Sequence, residues 1–166
     1  RSRGLGDVYK RQEVDRQLLI DFLGRKERIY ASPAVVQMSD TSIEEFTPAI
    51  THRLTFVGSG DHYPNLDAIT WFCKEVAPYL HKQGFSFDFR VAGRWDCSHI
   101  VRLSSVCPEI KFVGYVEDLS DFLKGSIALV PIRIGSGLRM KILDAVSLGI
   151  PFAVSYTHLR AHETVL

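Results

Sequence analysis

SIALVPIRIGSGLRMKILDAVSLGIPFAV, Ser126 to Val154, reads as strand, loop, helix and strand in succession. SIALVPI is a short apolar run of the kind buried on both faces of a sheet. GLRMKILDAVSLG is a helix, and IPFAV opens the next strand. Two strands joined through a helix pair in parallel, because a parallel pair needs a crossover connection. This one unit predicts an α/β fold.

The same alternation extends toward the amino terminus. LTFVGSG is a strand with a glycine turn. PNLDAITWFCKEVAPYLHKQG is a helix with Pro64 near its start and Gly84 after its end. FDFRVAGR is a strand, SHIVRLSS a short helix, IKFVGYV a strand and turn, and EDLSDFLKG another short helix. Five strands alternating with helices, under the right-handed crossover rule, predict a Rossmann-like, doubly wound parallel sheet. A fifth strand with no helix after it would leave one face short of cover. Further upstream, EVDRQLLIDFLG predicts an amphipathic helix closed by Gly24, and ERIYAS a short strand. From Ala34 to Ile50 the apolar period fails, which reads as a linker.

The two ends are related to each other through DNA. One strand of a stretch resembling a transposase-based sequencing adapter translates as SRGLGDVYKRQ, Ser2 to Gln12. Its reverse complement translates as VSYTHLRAHE, Val154 to Glu163. Residues 1–12 and 154–166 are therefore expected to be adapter-like artefact and are set aside from fold reasoning. His158 and His162, at helical spacing, fall in that tail and are discarded as metal ligands. The 20 basic and 19 acidic residues of the whole chain become 15 and 17 in the body, since the ends hold five of the first kind and two of the second. Such a balance gives no support to nucleic-acid binding.

Three cysteines, Cys73, Cys97 and Cys107, lack CxxC spacing and argue against a disulfide framework or a zinc site. No apolar run approaches the roughly 20 residues that span a bilayer, so no membrane span is expected. No Ser–His–Asp arrangement or carboxylate pair marks a catalytic group by spacing, and no metal site is expected.

In a doubly wound sheet, ligands bind beyond the carboxyl ends of the strands. Four loops reach that edge: Gly58-Ser59-Gly60, Gly93-Arg94, Gly114-Tyr115-Val116, and Ile132 to Gly137. The last carries Gly135, Ser136 and Gly137 directly before a helix, where backbone N–H groups and the helix dipole favour an anion such as a diphosphate. Arg139 and Lys141 add positive charge, and Asp144 lies further along the helix. Taken on spacing alone, GSG is equally compatible with a plain tight turn, and Asp144 with a solvated helix charge. Gly58-Ser59-Gly60 lacks the third glycine of GxGxxG and more often marks a turn. His62 and Asn65 beside it could touch a ligand. Trp71, Phe72 and Tyr79 sit at core spacing, and Arg94 and Trp95 at the edge of the second strand are ambiguous.

Four stretches, LTFVGSGDHYPNLDAITWF, VAGR, IKFVGYVEDL and PIRIGSGLRMKILDAVSLGIPFAV, together resemble the C-terminal domain of GT-B fold glycosyltransferases, close to glycosyltransferase family 4. The resemblance covers about Arg53 to Ala153. It implies an incomplete C-terminal GT-B domain over residues 51–153, with residues 13–50 as the end of the N-terminal domain and its connector. It implies binding of a nucleotide-diphosphate sugar as substrate rather than a cofactor, and transfer of the sugar with retention in a longer parent, for which the cysteine usage suits a reducing cytoplasm. Gly135, Ser136 and Gly137 would then meet the phosphates or sugar, and Arg139 and Lys141 would compensate phosphate charge. Asp144 would stand where the family often has a glutamate on the ribose. Tyr115 and Val116 would contact the base, with Gly58 and Arg94 on the same edge. Ser136 stands where many members carry the first glutamate of E-x7-E, and the missing acceptor domain implies a fragment inactive alone. Alternative readings are a non-catalytic nucleotide-binding or docking module and a GT-B-like sugar-nucleotide epimerase.

Overall fold

The computed structural model describes residues 8–10, 13–24, 29–31, 52–135 and 140–155. The chain divides into two compact units. The first contains β1 (Val8–Lys10), α1 (Glu13–Leu23) and β2 (Ile29–Ala31), with the β1 and β2 backbones paired in parallel and Tyr9 in register with Tyr30. Val8–Lys10 lies in the segment set aside as adapter-like, so this strand was not anticipated. Its valine and tyrosine favour extended backbone, whatever the origin of the segment. The α1 helix ends at Gly24 as expected, but Leu18 and Phe22 of its apolar stripe are exposed.

The second unit is a five-stranded, wholly parallel sheet. Its strands are β3 (Arg53–Val57), β4 (Asp88–Ala92), β5 (Ile110–Gly114), β6 (Ile127–Val130) and β7 (Phe152–Val154), in the order β5-β4-β3-β6-β7. The reversal between β3 and β6 is the doubly wound topology that the alternation predicts. Helices α2 (Tyr63–Trp71), α3 (Ala77–Lys82), α4 (Cys97–Val106), α5 (Leu119–Leu123) and α6 (Met140–Ser147) supply the crossovers.

Two apolar layers flank the sheet. Phe56, Phe89 and Val91 pack with Ile69, Phe72, Cys73 and Leu103 of the helices that follow β3 and β4. A smaller cluster joins Ala128 to Leu123 and Ala145, backed by Val57, Leu119 and Leu148. Burying a large apolar side chain contributes about 1.5–3 kcal/mol, so the first layer, with its two phenylalanine rings 4.5 Å apart at Phe72 and Phe89, carries most of the stabilisation.

The long helix after β3 is not uniform. Between α2 and α3 the chain makes a π-helical stretch, Phe72–Val76, in which the Ala77 N–H reaches back to the Phe72 carbonyl. Pro78 supplies the reason: it has no N–H, and its ring conflicts with the carbonyl four residues earlier in α geometry. A single wide turn relieves that conflict and keeps Phe72 and Cys73 in the core. The helix before β6 starts two residues later than EDLSDFLKG suggests. The Asp118 carboxylate accepts from the N–H groups of Ser120 and Asp121 at 2.8 and 3.1 Å, which makes it the N-cap. Of the aromatics read as core on the first helix, Phe72 is buried, Trp71 half-buried and Tyr79 exposed. Tyr79 lies beyond the wide turn, which shifts the helical phase. At the far edge of the sheet, Phe152 and Ala153 are exposed.

Candidate functional site at the carboxyl edge of the sheet

The glycine loops after β3, β4 and β5 are held in step by backbone bonds that continue the sheet past its strands. The Gly58 N–H donates to the Ala92 carbonyl at 2.8 Å, and the Gly93 N–H to the Gly114 carbonyl at 2.7 Å. Gly93 has φ of 125°, and any Cβ there would collide with the Gly58 carbonyl. Only glycine fits this crossing of two loops. Gly60 is confined in another way, since a Cβ would lie 2.7 Å from the Trp95 ring.

Side chains complete the lock. The Trp95 indole N–H donates to the Gly58 carbonyl at 2.8 Å, and the ring packs against Phe112 with centroids 5.2 Å apart. Asn65, buried in the first turn of α2, donates from Nδ2 to the Ser59 carbonyl at 2.9 Å. The Ser59 hydroxyl donates to the Arg94 carbonyl at 3.1 Å. Asn65 therefore holds the loop from beneath and does not itself line the cleft. His62 next to it is exposed.

These loops enclose an open cleft of about 640 Å³, walled by Ser59, Gly93, Trp95, Ile100, Phe112 and Gly114, with Arg94 and Tyr115 at its mouth. The wall is largely apolar and aromatic, with polar groups at the rim, the usual make-up of a small-molecule site. Arg94 and Tyr115 are each 85% exposed. Arg94 is paired with Asp61, with Nε 3.0 Å from Oδ2 and Nη2 on the same oxygen. The guanidinium holds the Asp61 carboxyl below its ordinary range, and the carboxylate raises Arg94 in turn.

The structure distributes the sequence-predicted residues over separate places. Arg94 and Tyr115 meet at the cleft, with Gly58 behind Trp95 and Val116 half-buried just past Tyr115. Gly135 is exposed in the segment that follows β6. Ser136, Gly137 and Arg139 lie outside the described residues. Lys141 and Asp144, on α6, line a second cavity of about 20 Å³ with Thr55, Val57, Leu119 and Leu123. That is room for about one water. Burial pushes the Asp144 carboxyl up, and Lys141 opposes the shift. The Lys141 ammonium also stands 5.5 Å from the centroid of the Phe56 ring. The loop after β6 is tied to α2 by Arg133, whose Nη2 and Nε reach the Asp67 carboxylate at 2.7 and 3.2 Å while its guanidinium covers Trp71.

The cleft thus lies over β4 and β5, beside the β3–β6 switch point where the fold rule places a ligand. Phe112 and Ile100 carry no signal as site residues in the sequence, and Trp95 an ambiguous one, because an apolar wall has the same composition as a core. Asn65 carries a faint one, as a poor helix former placed in a first helical turn.

The model of the family described as Glycosyl transferases group 1 matches residues 51–165. The chain belongs to that family. The match to glycosyl transferases group 1 runs from just before β3 to beyond Val154, through part of the tail that reads as adapter-like. No curated protein matches the chain. Among solved structures, a mutant of S. aureus TarM in complex with fondaparinux, alpha-GlcNAc-glycerol and UDP is similar, with a TM-score of 0.68 and 12% identity over 89% of this chain and 29% of that one. The pneumococcal O-GlcNAc transferase GtfA, in complex with UDP and GlcNAc, has a TM-score of 0.59 and 14% identity with the same coverage. At such identity the likeness concerns the fold, which is that of GT-B glycosyltransferases. This group 1 chain spans less than a third of the length of those two. None of the described helices is long and apolar enough to cross a membrane.

Proposed function

We propose that this chain is the donor-binding half of a retaining glycosyltransferase, and that the cleft over β4 and β5 receives the base and ribose of a nucleotide-diphosphate sugar. The observation that carries the reading is the convergence of the loops of Gly58, Gly93 and Gly114 on one apolar, aromatic-walled cleft with a cation at its mouth. Family membership and the presence of UDP in both similar structures support it. The diphosphate would extend toward the loop Gly135 to Gly137 and be met by Arg139, with Lys141 adding positive potential from α6. Such groups stabilise the nucleoside diphosphate as it departs. The acceptor would be held by a further domain, so the fragment would bind donor without turning it over. Asp144 has a weaker place in this reading than the sequence suggests, since its carboxyl lines the small cavity beneath α6.

Calorimetric titration with UDP, GDP and ADP tests the proposal. One of them is expected to bind with a single site, and no nucleotide should bind nucleic-acid style, with several molecules per chain. Failure of all three at millimolar concentration, on a chain shown to be folded, would overturn it.

A further inference from the structure

The segment after β6 leaves the core at Ile132, which is 3% exposed, and reaches Gly135 at φ of 110°. Between them one side chain ties it to a different element. Arg133 lies over Asp67 and Trp71 of α2, two residues spaced so that they share one helical face. Its Nη2 and Nε donate to Oδ1 and Oδ2 of Asp67 at 2.7 and 3.2 Å, and its guanidinium carbon stands 5.2 Å from the centroid of the Trp71 ring. The carboxylate is the better covered partner, with 15% of its side chain exposed against 40% for Arg133. One edge of the guanidinium is thus committed to Asp67 and one face to Trp71. Such a hold fixes direction as well as distance, which the point charge of a lysine could not do. It also joins the crossovers that leave β3 and β6, the neighbours between which strand order reverses. Partly exposed ion pairs contribute little to global stability, so this one is better placed to set the course of the segment than to keep the sheet folded.

We propose that Asp67, Arg133 and Trp71 form a clasp that positions the segment after β6 for the diphosphate of the donor, with Arg133 a positioning residue and not a phosphate ligand. The inference rests on the donor reading given above. In that reading the base and ribose lie over β4 and β5, and the diphosphate reaches toward Gly135, close to Arg133 in the chain. The Arg133 charge is already matched by Asp67, so it adds little to the attraction of phosphate. What Arg133 supplies is location. Ile134 and Gly135 start from a fixed point on α2, and backbone N–H groups stabilise an anion only when they are held where it sits. Loss of the clasp should therefore be felt at the diphosphate. The base and ribose, on a separate part of the edge, should be unaffected.

The test titrates the folded full chain by calorimetry with UDP, GDP and ADP, and with the matching nucleosides in competition with the bound diphosphate. It also follows hydrogen exchange in the peptide that carries Arg133 to Gly135. In Arg133→Met, the nucleoside diphosphate that wild type binds is expected to bind about tenfold more weakly, a modest cost for a displaced positioning contact, with nucleoside affinity unchanged. That peptide should exchange faster, while peptides from β3 and β4 keep their wild-type rates. Asp67→Asn should show the same selective loss, and the double variant no greater loss than either single one, since both break one clasp. The proposal is overturned if Arg133→Met binds the diphosphate as tightly as wild type, if it loses nucleoside and diphosphate by the same factor, or if its exchange is unchanged. Loss in Arg133→Met without loss in Asp67→Asn would make Arg133 a direct phosphate contact and overturn the positioning role. The nearly isosteric Asp67→Asn decides the matter even where Arg133→Met does not fold. Wild type that binds none of the three nucleotides overturns the donor reading and this inference with it, whereas wild-type binding without the selective loss overturns the clasp alone.

Discussion

The indole N–H of Trp95 donates to the carbonyl of Gly58 across 2.8 Å, so a side chain after β4 fixes the backbone after β3. The same ring fills the space where Gly60 would carry a Cβ and walls the cleft. Trp95→Phe keeps most of the packing and removes the donor. It is expected to lower stability by about 1–2 kcal/mol, the scale of a partly buried carbonyl left unpaired. Urea unfolding midpoints at constant m-value measure this, and an unchanged midpoint would show that the bond contributes nothing.

Gly93 is the tightest point of the edge. Gly93→Ala imposes a side chain at φ of 125° and against the Gly58 carbonyl. The expected loss is on the order of 3 kcal/mol, with the loop after β3 displaced. Under the proposed function, nucleotide affinity should fall with it. A variant as stable as wild type in thermal unfolding would contradict the crossing described for these two loops.

Asp144 and Asp88 should respond to pH with opposite signs. Burial raises the Asp144 carboxyl in the folded state, so folding favours its protonated form. That contribution is fully present below the unfolded value near 3.8 and is lost as pH rises through the folded value. Asp144→Asn should therefore raise Tm at pH 7 and change it little at pH 3. Thermal scans across that range check the sign.

Asp88 is held below its ordinary range by the Lys111 ammonium at 2.8 Å, and by Arg90 at 2.7 Å. Its contribution is present above 3.8 and disappears as pH falls through the lower folded value. Asp88→Asn should lower Tm at neutral pH, modestly because the partners are exposed, and the gap should narrow in acid. A gap that widens in acid would reverse this assignment.

Arg139 offers a test of the donor reading that is independent of the cleft residues. Arg139→Ala should weaken nucleoside diphosphate binding by about 1–3 kcal/mol, the scale of a lost charge-assisted hydrogen bond, and leave nucleoside binding unchanged. Calorimetry with the two ligands separates the effects. Equal diphosphate affinity in both proteins would remove Arg139 from the site.

The succession of strands and helices in the second unit was legible residue by residue. Apolar runs such as SIALV and FDFRVA differ in period and length from helical stretches such as PNLDAITWF, and Gly84, Pro64 and Gly149 punctuate them. These signals are local, so they survive without knowledge of the fold. The parallel pairing followed from the same alternation, because each crossover leaves one topology open.

What the tertiary structure alone decided concerns residues far apart in the chain. Pro78 announces a disturbance in the helix, yet only the packing of Phe72 and Cys73 selects a π-helical turn over a kink or a break. Arg94 and Tyr115 share a cleft, while Lys141 and Asp144 line a different cavity, although all four read as site residues in the sequence. In each case the contact depends on strand register and on which face of the sheet a helix covers. Neither is encoded in a local period of 2.0 or 3.6 residues.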